Sequence, residues 1–144
     1  MKKIFYAIIL IAIFLGCNGN PTSNPNDEPE IAVTIENLTG QWKWIKSVDS
    51  LNQVVDSPTT TYTRAVSITQ DSIFRQYLND TMVEHYKFCL KKTMTKYSPD
   101  SLFYMDRLDG SKWWNYVVFS LSSTTLSIGY GLQGGGKAVL SRVN

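Results

Sequence analysis

The sequence predicts an all-β domain, an antiparallel up-and-down β-barrel of eight strands, with nine as the alternative count. Short runs rich in β-branched and aromatic residues follow one another along the chain. The links between them are short and rich in Asn, Asp, Ser and Gly, which is typical of neighbouring strands in a meander. Helix signals are confined to EIAVTIENLTG, which predicts one short helical turn before the first strand. Successive antiparallel strands with few helices form either a sandwich or a closed barrel.

The strands follow from the apolar runs and the turn residues between them. The predicted strands are, in chain order, QWKWIKSV, YTRAVSIT, SIFRQYL, TMVEHYKFCL, SLFYMD, WWNYVVFSL, TTLSIGY and KAVLSRV. KKTMTKY either extends the fourth strand or adds a ninth. TTLSIGY alternates, with Leu126, Ile128 and Tyr130 on one face, whereas WWNYVVFSL is apolar on both faces over part of its length. The longest link, DSLNQVVDSPTTT, is expected to form a rim loop or lid.

The N-terminal segment is typical of a secretory signal. MKK precedes twelve uncharged apolar residues, Ile4 to Leu15, a run too short to span a bilayer as a stable helix. The following FLGC resembles the lipobox of bacterial lipoproteins, whose cysteine is lipidated and becomes the new N-terminus. This resemblance implies a signal peptide at 1–16, lipidation of Cys17 and a membrane partner reached through the lipid. It also implies residence in a Gram-negative cell envelope, at the outer membrane, in the periplasm or on the surface.

A polar linker and a single domain follow the cysteine. Residues 17–30 contain NGNPTSNPNDEPE, which has no apolar period and predicts a flexible tether. Residues 31–144 have the length of one domain. Loss of Lys2 and Lys3 with the signal leaves 12 basic and 12 acidic residues. The net charge of the mature chain is therefore near zero, which gives no support for a nucleic-acid partner.

Two motifs carry a family resemblance. Gly40-Gln41-Trp42 stands at the head of the first strand, and Arg142 lies in LSRVN at the end of the last one. This pair resembles the lipocalin superfamily, and most of all the lipocalin-like domains of bacterial lipoproteins. The resemblance implies that Trp42 closes one end of the barrel and that Arg142 packs across its indole. Such a contact contributes about 0.5–2 kcal/mol. A small hydrophobic or amphipathic ligand is then expected at the open end.

Four further aromatic residues are candidates for contact with a ligand or a partner. Trp44 shares a strand face with Trp42 and forms either a cavity floor or part of the core. Trp113 and Trp114 are adjacent, so one points inward and the other outward, where it binds a sugar or protein, or lies under a loop. Tyr116 follows on the same strand. The mature chain keeps fifteen aromatic residues, which fill much of an eight-stranded barrel. A filled barrel acting as a noncatalytic protein or glycan interaction module is therefore the alternative function.

Catalytic and metal-binding patterns are not evident in the sequence. His85 and Cys89 would share a strand face, but roughly 13 Å apart, too far for one metal ion. The lone Cys89, once Cys17 is acylated, is expected to be buried and inert. Asp106 and Asp109 are predicted to lie in a turn and give only weak support for a hydrolase pair. GLQGGGKA lacks the Ser or Thr that a P-loop needs after Lys137. We therefore expect no enzyme activity, no cofactor and no metal.

A short Asp-Ser/Thr pattern recurs along the chain. It resembles the O-glycosylation motif of certain Gram-negative secreted proteins, although Asp-Ser is equally common in turns. Both interpretations stay open for the four instances, Asp49-Ser50-Leu51, Asp71-Ser72-Ile73, Asp80-Thr81-Met82 and Asp100-Ser101-Leu102.

Overall fold

A computed structural model of the chain describes residues 28–95, 98–110, 115–130 and 136–144, apart from the side chains of 93–95, 98–101 and 130. Within these ranges the chain forms one short helix and nine strands of a single antiparallel sheet. The elements are α1 (Ile35–Leu38), β1 (Gly40–Val48), β2 (Val54–Asp56), β3 (Arg64–Ile68), β4 (Ile73–Leu78), β5 (Thr81–Thr95), β6 (Ser98–Arg107), β7 (Tyr116–Leu121), β8 (Thr125–Tyr130) and β9 (Lys137–Arg142). No helix of the described part of the chain has the length and apolar character needed to cross a membrane.

The sheet closes into a barrel because β1 pairs with β3 along one edge and with β9 along the other. Eight strands, all except β2, form the wall in sequence order. Closure pairs the edges of the first and last wall strands. The predicted all-β barrel and the helical turn before its first strand are confirmed.

The ninth strand lies where the sequence predicted a loop. β2 forms within DSLNQVVDSPTTT and pairs with the end of β1, at Ser47↔Asp56 and Val48↔Val54. β3 pairs with β1 only over Gly40 to Lys43, so the later part of that β1 edge is open to β2. KKTMTKY supplies no separate strand, because Lys91 to Thr95 continue β5 and pair with β6 as far as Thr95↔Ser98.

The core is an aromatic stack inside the barrel. Trp42, Trp44, Phe74 and Phe88 are fully buried. The Phe74 ring centroid lies 5.0 Å from that of Tyr86 and 4.9 Å from that of Tyr116. Leu126 and Ile128 are buried on the predicted inner face of β8. These contacts occupy the middle of the barrel and confine free space to one end.

Among the register shifts between wall strands are a bulge in β1 and one in β7. The pairing of β1 with β9 shifts between Trp44 and Lys46, so that Ile45 and Lys46 are both exposed. Ser47 then returns to the interior, where its Oγ accepts a hydrogen bond from Trp44 Nε1 at 3.1 Å. The second bulge lies in β7, between Val118 and Ser120. Val117 alternates with the inward Tyr116 and Val118, yet it is also fully buried.

The two ends of the barrel differ. The Trp42 end comprises α1, the β3–β4 and β7–β8 turns and the end of β9. The open end comprises the link from β1 to β3, the β4–β5 turn and the starts of β7 and β9. Asn79 and Asp80 both have positive φ, 48° and 63°, which is typical of a two-residue type I′ hairpin turn.

The described chain begins at the Trp42 end. The Glu28 carboxylate accepts hydrogen bonds from the hydroxyl of Ser122 at 2.6 Å and from those of Ser123 and Thr124. Ile31 N donates to Leu121 O at 2.8 Å. Glu28, which the sequence places in the linker, is therefore bonded to the turn between β7 and β8.

Candidate functional site

Trp42 and Arg142 close the barrel at the Trp42 end. They are directly paired across β1 and β9, and the guanidinium carbon of Arg142 lies 4.2 Å from the Trp42 ring centroid. The indole is fully buried, and its Nε1 donates to Leu38 O at 2.8 Å. The stacking expected from the resemblance is thus present in the structure.

The Arg142 guanidinium also connects three separate segments. Nη2 donates to Asn37 O at 2.6 Å, Nη1 to Thr39 O at 2.8 Å and Nε to Ser123 O at 2.9 Å. Gly40 lies beneath this group with φ +147°, and a Cβ there would be 2.8 Å from Arg142 Nη1. Only glycine combines this backbone conformation with such a close approach.

A cavity of about 230 Å³ lies inside the open end. This volume corresponds to roughly eight water molecules at liquid density. Trp44, which is only 1% exposed, contributes its indole to the wall. The cavity is lined by Trp44, Ser47, Arg64, Val66, Gln76, Tyr116, Ile128, Gly129, Gly136, Lys137, Ala138 and Leu140.

Arg64 is the charged residue of the cavity wall that faces inward on its strand. β3 alternates so that Arg64 and Val66 turn to the cavity. The guanidinium carbon lies 5.0 Å from the Trp44 ring centroid and 4.9 Å from that of Tyr62. Arg64 Nε donates to the Tyr62 hydroxyl at 2.6 Å, and Nη2 donates to the same oxygen. Two rings and one hydroxyl therefore fix the position of this cation.

A second polar cluster lies beside the cavity on β4 to β7. Glu84 Oε1 accepts from Arg107 Nη1 at 2.6 Å, and Arg107 Nη2 also donates to Asp109 at 2.8 Å. The Arg107 guanidinium carbon lies 4.0 Å from the Tyr86 ring centroid. These contacts raise the pKa of Arg107 above its ordinary value, and the hydrogen bond with Asp109 has the largest effect. Arg107 is thereby held as a cation against the Glu84 carboxylate.

The Tyr116 hydroxyl connects this cluster to the cavity. It donates to Gln76 Oε1 at 2.7 Å and lies 3.4 Å from Glu84 Oε2. Gln76 and Glu84 are directly opposite in the β4–β5 pairing. Glu84 Oε1 therefore has a donor in Arg107, while Glu84 Oε2 lies near the Tyr116 hydroxyl, whose single hydrogen is directed to Gln76 Oε1.

The structure separates the predicted site residues into two groups. Trp44 and Tyr116 line the same cavity, whereas Gly40, Trp42 and Arg142 lie together at the opposite end. Cys17, Trp113 and Trp114 lie outside the described residues. The sequence reasoning missed the polar residues in and beside the cavity. The available signal was a charged or amide residue two positions from an inward apolar one on each of four strands, at Arg64, Gln76, Glu84 and Arg107.

The carboxylates and thiol considered from the sequence lie in separate environments. Asp106 is in β6 rather than in the predicted turn, because the strand pairing continues to Phe88↔Arg107. It is paired with Lys91, while Asp109 is paired with Arg107. Cys89 is free but only partly buried, because its position alternates with the inward Phe88 and Leu90. Within the described ranges, no cluster of three or more His, Cys, Asp or Glu side chains could hold a metal ion.

Three of the Asp-Ser/Thr motifs lie at turns. Asp49 Oδ1 accepts from the backbone amides of Leu51 and Gln53, both at 2.9 Å. Asp71 accepts from the Thr69 hydroxyl, which lowers its pKa, and Asp80 follows Asn79 in the β4–β5 turn. The side chains of Asp100 and Ser101 are outside the description. Turn chemistry accounts for these aspartates, and glycosylation stays a prediction.

Neither the protein-family models, nor the curated proteins, nor the solved structures with which the chain was compared give a match.

Proposed function

We propose that the chain is a membrane-anchored lipoprotein whose lipocalin-like barrel binds a small amphipathic molecule at its open end. The observation that supports the proposal most directly is the cavity beside Trp44, which both apolar and polar side chains line. Val66, Ile128 and Leu140 supply apolar wall, while Ser47 and Gln76 supply hydrogen-bonding groups. A mostly apolar cavity with a few polar groups is typical of a small-molecule site.

The cavity volume restricts the size of the ligand. About 230 Å³ is below the roughly 300–1,000 Å³ of pockets that hold drug-sized molecules. The aromatic stack of Phe74, Tyr86 and Tyr116 fills the space below. The ligand is therefore a compact molecule, such as one with a single ring or a short branched chain, and a long acyl chain would extend out of the barrel.

Binding of an apolar fluorescent probe tests the proposal. The purified full chain, in buffer without detergent, is titrated with 4-(dimethylamino)benzonitrile, a fluorescent probe with a single ring, and compared with the Ala138→Phe variant, which fills the cavity. We expect the saturable fluorescence increase of the parent chain to be lost in the variant at an unchanged melting temperature. Val66→Phe serves as a second filled variant. Equal binding by the parent and both folded variants would place the probe elsewhere, for example on the N-terminal apolar run, and refute the proposal.

A surface interaction is the second candidate function. Large apolar side chains are exposed in the loops and strand ends around the open end, at Leu51, Val54, Val55, Met82, Val83 and Leu108. Exposed apolar groups of this kind are typical of protein contact sites. A Val54→Ser/Val55→Ser variant that loses a protein partner but retains the fluorescent probe would favour this function. Trp113→Ala tests the predicted contribution of that tryptophan in the same assay.

The membrane anchor is proposed from the sequence. MKK, the apolar run and FLGC support cleavage before Cys17 and lipidation of its thiol and new amino group. Fractionation of natively expressed protein, with intact mass measurement, tests this directly. We expect the parent chain in the membrane fraction with the added mass of acyl chains. Cys17→Ser should appear without that mass, and an unmodified mass for the parent chain would exclude lipidation.

A further inference from the structure

We propose that the cavity ligand carries an anionic group, such as a carboxylate on a compact apolar body, and that Arg64 binds this group. The inference rests on the proposed ligand-binding function and names the chemical class of the ligand. It follows from the hydrogen-bonding capacity left in the cavity and from the charge of Arg64.

The cavity wall contains side-chain donors that have no acceptor among the described residues. Gln76 Oε1 already accepts from Tyr116, and Ser47 Oγ already accepts from Trp44. Within the described part of the chain, neither Gln76 Nε2 nor Arg64 Nη1 donates to another group. An amide nitrogen and a guanidinium nitrogen can only donate. A ligand that satisfies both must present acceptors, which a carboxylate does with two oxygens.

The charge of Arg64 is not balanced by a carboxylate among the described residues. The ion pairs there are Lys91 with Asp106, and Arg107 with Glu84 and with Asp109. Glu84 stands opposite Gln76 in the sheet, but its charge is already paired with Arg107 through Oε1. Arg64 is instead partly compensated by the faces of Trp44 and Tyr62. A half-buried cation beside an apolar cavity favours an anion that can enter it.

The position of Arg64 is fixed before any ligand binds. The Tyr62 hydroxyl occupies Nε and Nη2, and the Trp44 and Tyr62 rings restrict the guanidinium plane. Both hydrogens of Nη1 and the second hydrogen of Nη2 are therefore left to donate to a ligand. A side chain already held in place loses less conformational entropy on binding. Arg64 is thus a preorganised binding group for an anion. Val66, Ile128 and Leu140 contact the apolar part of the ligand.

Three compounds with one carbon skeleton test the inference. 3-Phenylpropanoate, 3-phenylpropanamide and 3-phenylpropylamine carry a negative, a neutral and a positive end group at pH 7. Each competes with 4-(dimethylamino)benzonitrile on the full chain. We expect the carboxylate to bind about tenfold more tightly than the amide, since a charge-assisted hydrogen bond is worth roughly twice a neutral one. The amine should bind most weakly.

The variants assign this preference to Arg64. Arg64→Met keeps an unbranched side chain without charge and should remove the preference for the carboxylate while leaving amide affinity nearly unchanged. Arg64→Lys, which keeps the charge, should retain part of the preference for the carboxylate. Lys43→Gln removes an equal charge from the exposed outer face of β1 and should leave the preference intact. Melting temperatures show that each variant is folded.

The outcomes separate the inference from the proposed function. If the fluorescent probe binds but the carboxylate binds no better than the amide, the anionic ligand is excluded and cavity binding stands. A carboxylate preference that survives in folded Arg64→Met would also overturn the assignment. If the probe fails to bind in the cavity of the unaltered chain, the proposed function and the inference fail together.

Discussion

Arg142 lies face to face with Trp42 across the seam where β9 meets β1, with its guanidinium carbon 4.2 Å from the ring centroid. Its three nitrogens reach the carbonyls of Asn37, Thr39 and Ser123. One side chain therefore joins α1, the residue between α1 and β1, and the β7–β8 turn.

Arg142→Ala should destabilise the fold by about 1–3 kcal/mol, because stacking, packing and hydrogen bonds are lost together. Arg142→Lys should recover only part of this, since an ammonium cannot stack and donate in three fixed directions at once. Urea unfolding followed by tryptophan fluorescence measures both changes. Lys43→Ala, on the exposed face of the same seam, is the control and should change stability by less than about 0.5 kcal/mol. An unchanged midpoint for Arg142→Ala would refute the role of the contact.

Gly40→Ala should destabilise by about 1–3 kcal/mol, because φ is +147° and the new Cβ would lie 2.8 Å from Arg142 Nη1. Gly110→Ala is the matched control, since Gly110 also has a positive φ, +79°, but no atom of the described residues beyond its chain neighbours lies within 4 Å of its Cβ position. We expect the smaller loss there. The loss for Gly40→Ala should decrease in the Arg142→Ala background, as a double-mutant cycle of unfolding free energies would show. If the losses of unfolding free energy for Gly40→Ala and Arg142→Ala simply add in the double variant, the steric contact between the new Cβ and Arg142 is excluded.

The Glu28 carboxylate should give a pH-dependent contribution to stability. Hydrogen bonds from Ser122, Ser123 and Thr124, in that order, lower its pKa from 4.5 to about 2. A group with a lowered pKa in the folded state stabilises above its unfolded pKa, and this contribution is lost as the pH falls through the folded value. Melting temperatures of the parent chain and Glu28→Gln should therefore differ at pH 6 and converge between pH 4.5 and about 2. A difference that does not vary with pH would contradict this assignment.

Tyr116→Phe should destabilise by about 1–2 kcal/mol, because Gln76 Oε1 would lose its donor inside the barrel. Adding Gln76→Met should recover part of the loss, since removing both partners of a buried hydrogen bond costs less than removing one. Urea unfolding measures both. Tyr77→Phe on β4 is the control, because the Tyr77 hydroxyl has no hydrogen-bond partner among the residues described. Equal losses for Tyr116→Phe and Tyr77→Phe would show that the buried hydrogen bond contributes nothing.

The sequence predicted the features that depend on strand order and alternation. Trp42 and Arg142 stand at the head of the first wall strand and the end of the last, so closure makes them neighbours. The inward position of Trp44 follows from the two-residue period of a strand, because Trp42 also points inward. The β1 bulge at Ile45 could not be predicted, because nothing in QWKWIKSV marks it and the pairing with β9 determines it. β2 was missed for a related reason. It can pair with the end of β1 only because the pairing of β3 with β1 stops at Lys43.

The polar interior was missed for a different physical reason. Arg64, Glu84 and Arg107 occupy inward positions, but charged residues are ordinarily expected outside. Their burial is permitted by partners on other strands, Glu84 for Arg107 and the Trp44 and Tyr62 rings for Arg64. Those pairings depend on register across strands, which one sequence does not reveal. The contributions of Cys17, Trp113 and Trp114 stay predictions.

The bonding of Glu28 to the β7–β8 turn determines where the N-terminal segment leaves the barrel. It leaves beside Trp42, at the end of the barrel opposite the cavity mouth. The length of β1 places these two ends about 30 Å apart. Residues 17–27, fully extended, reach at most roughly 40 Å. This reach exceeds the length of the barrel, so a surface that held Cys17 through an extended tether would not fix the direction of the mouth. The domain would be able to turn its mouth toward that surface as well as toward the surrounding solution without leaving its anchor.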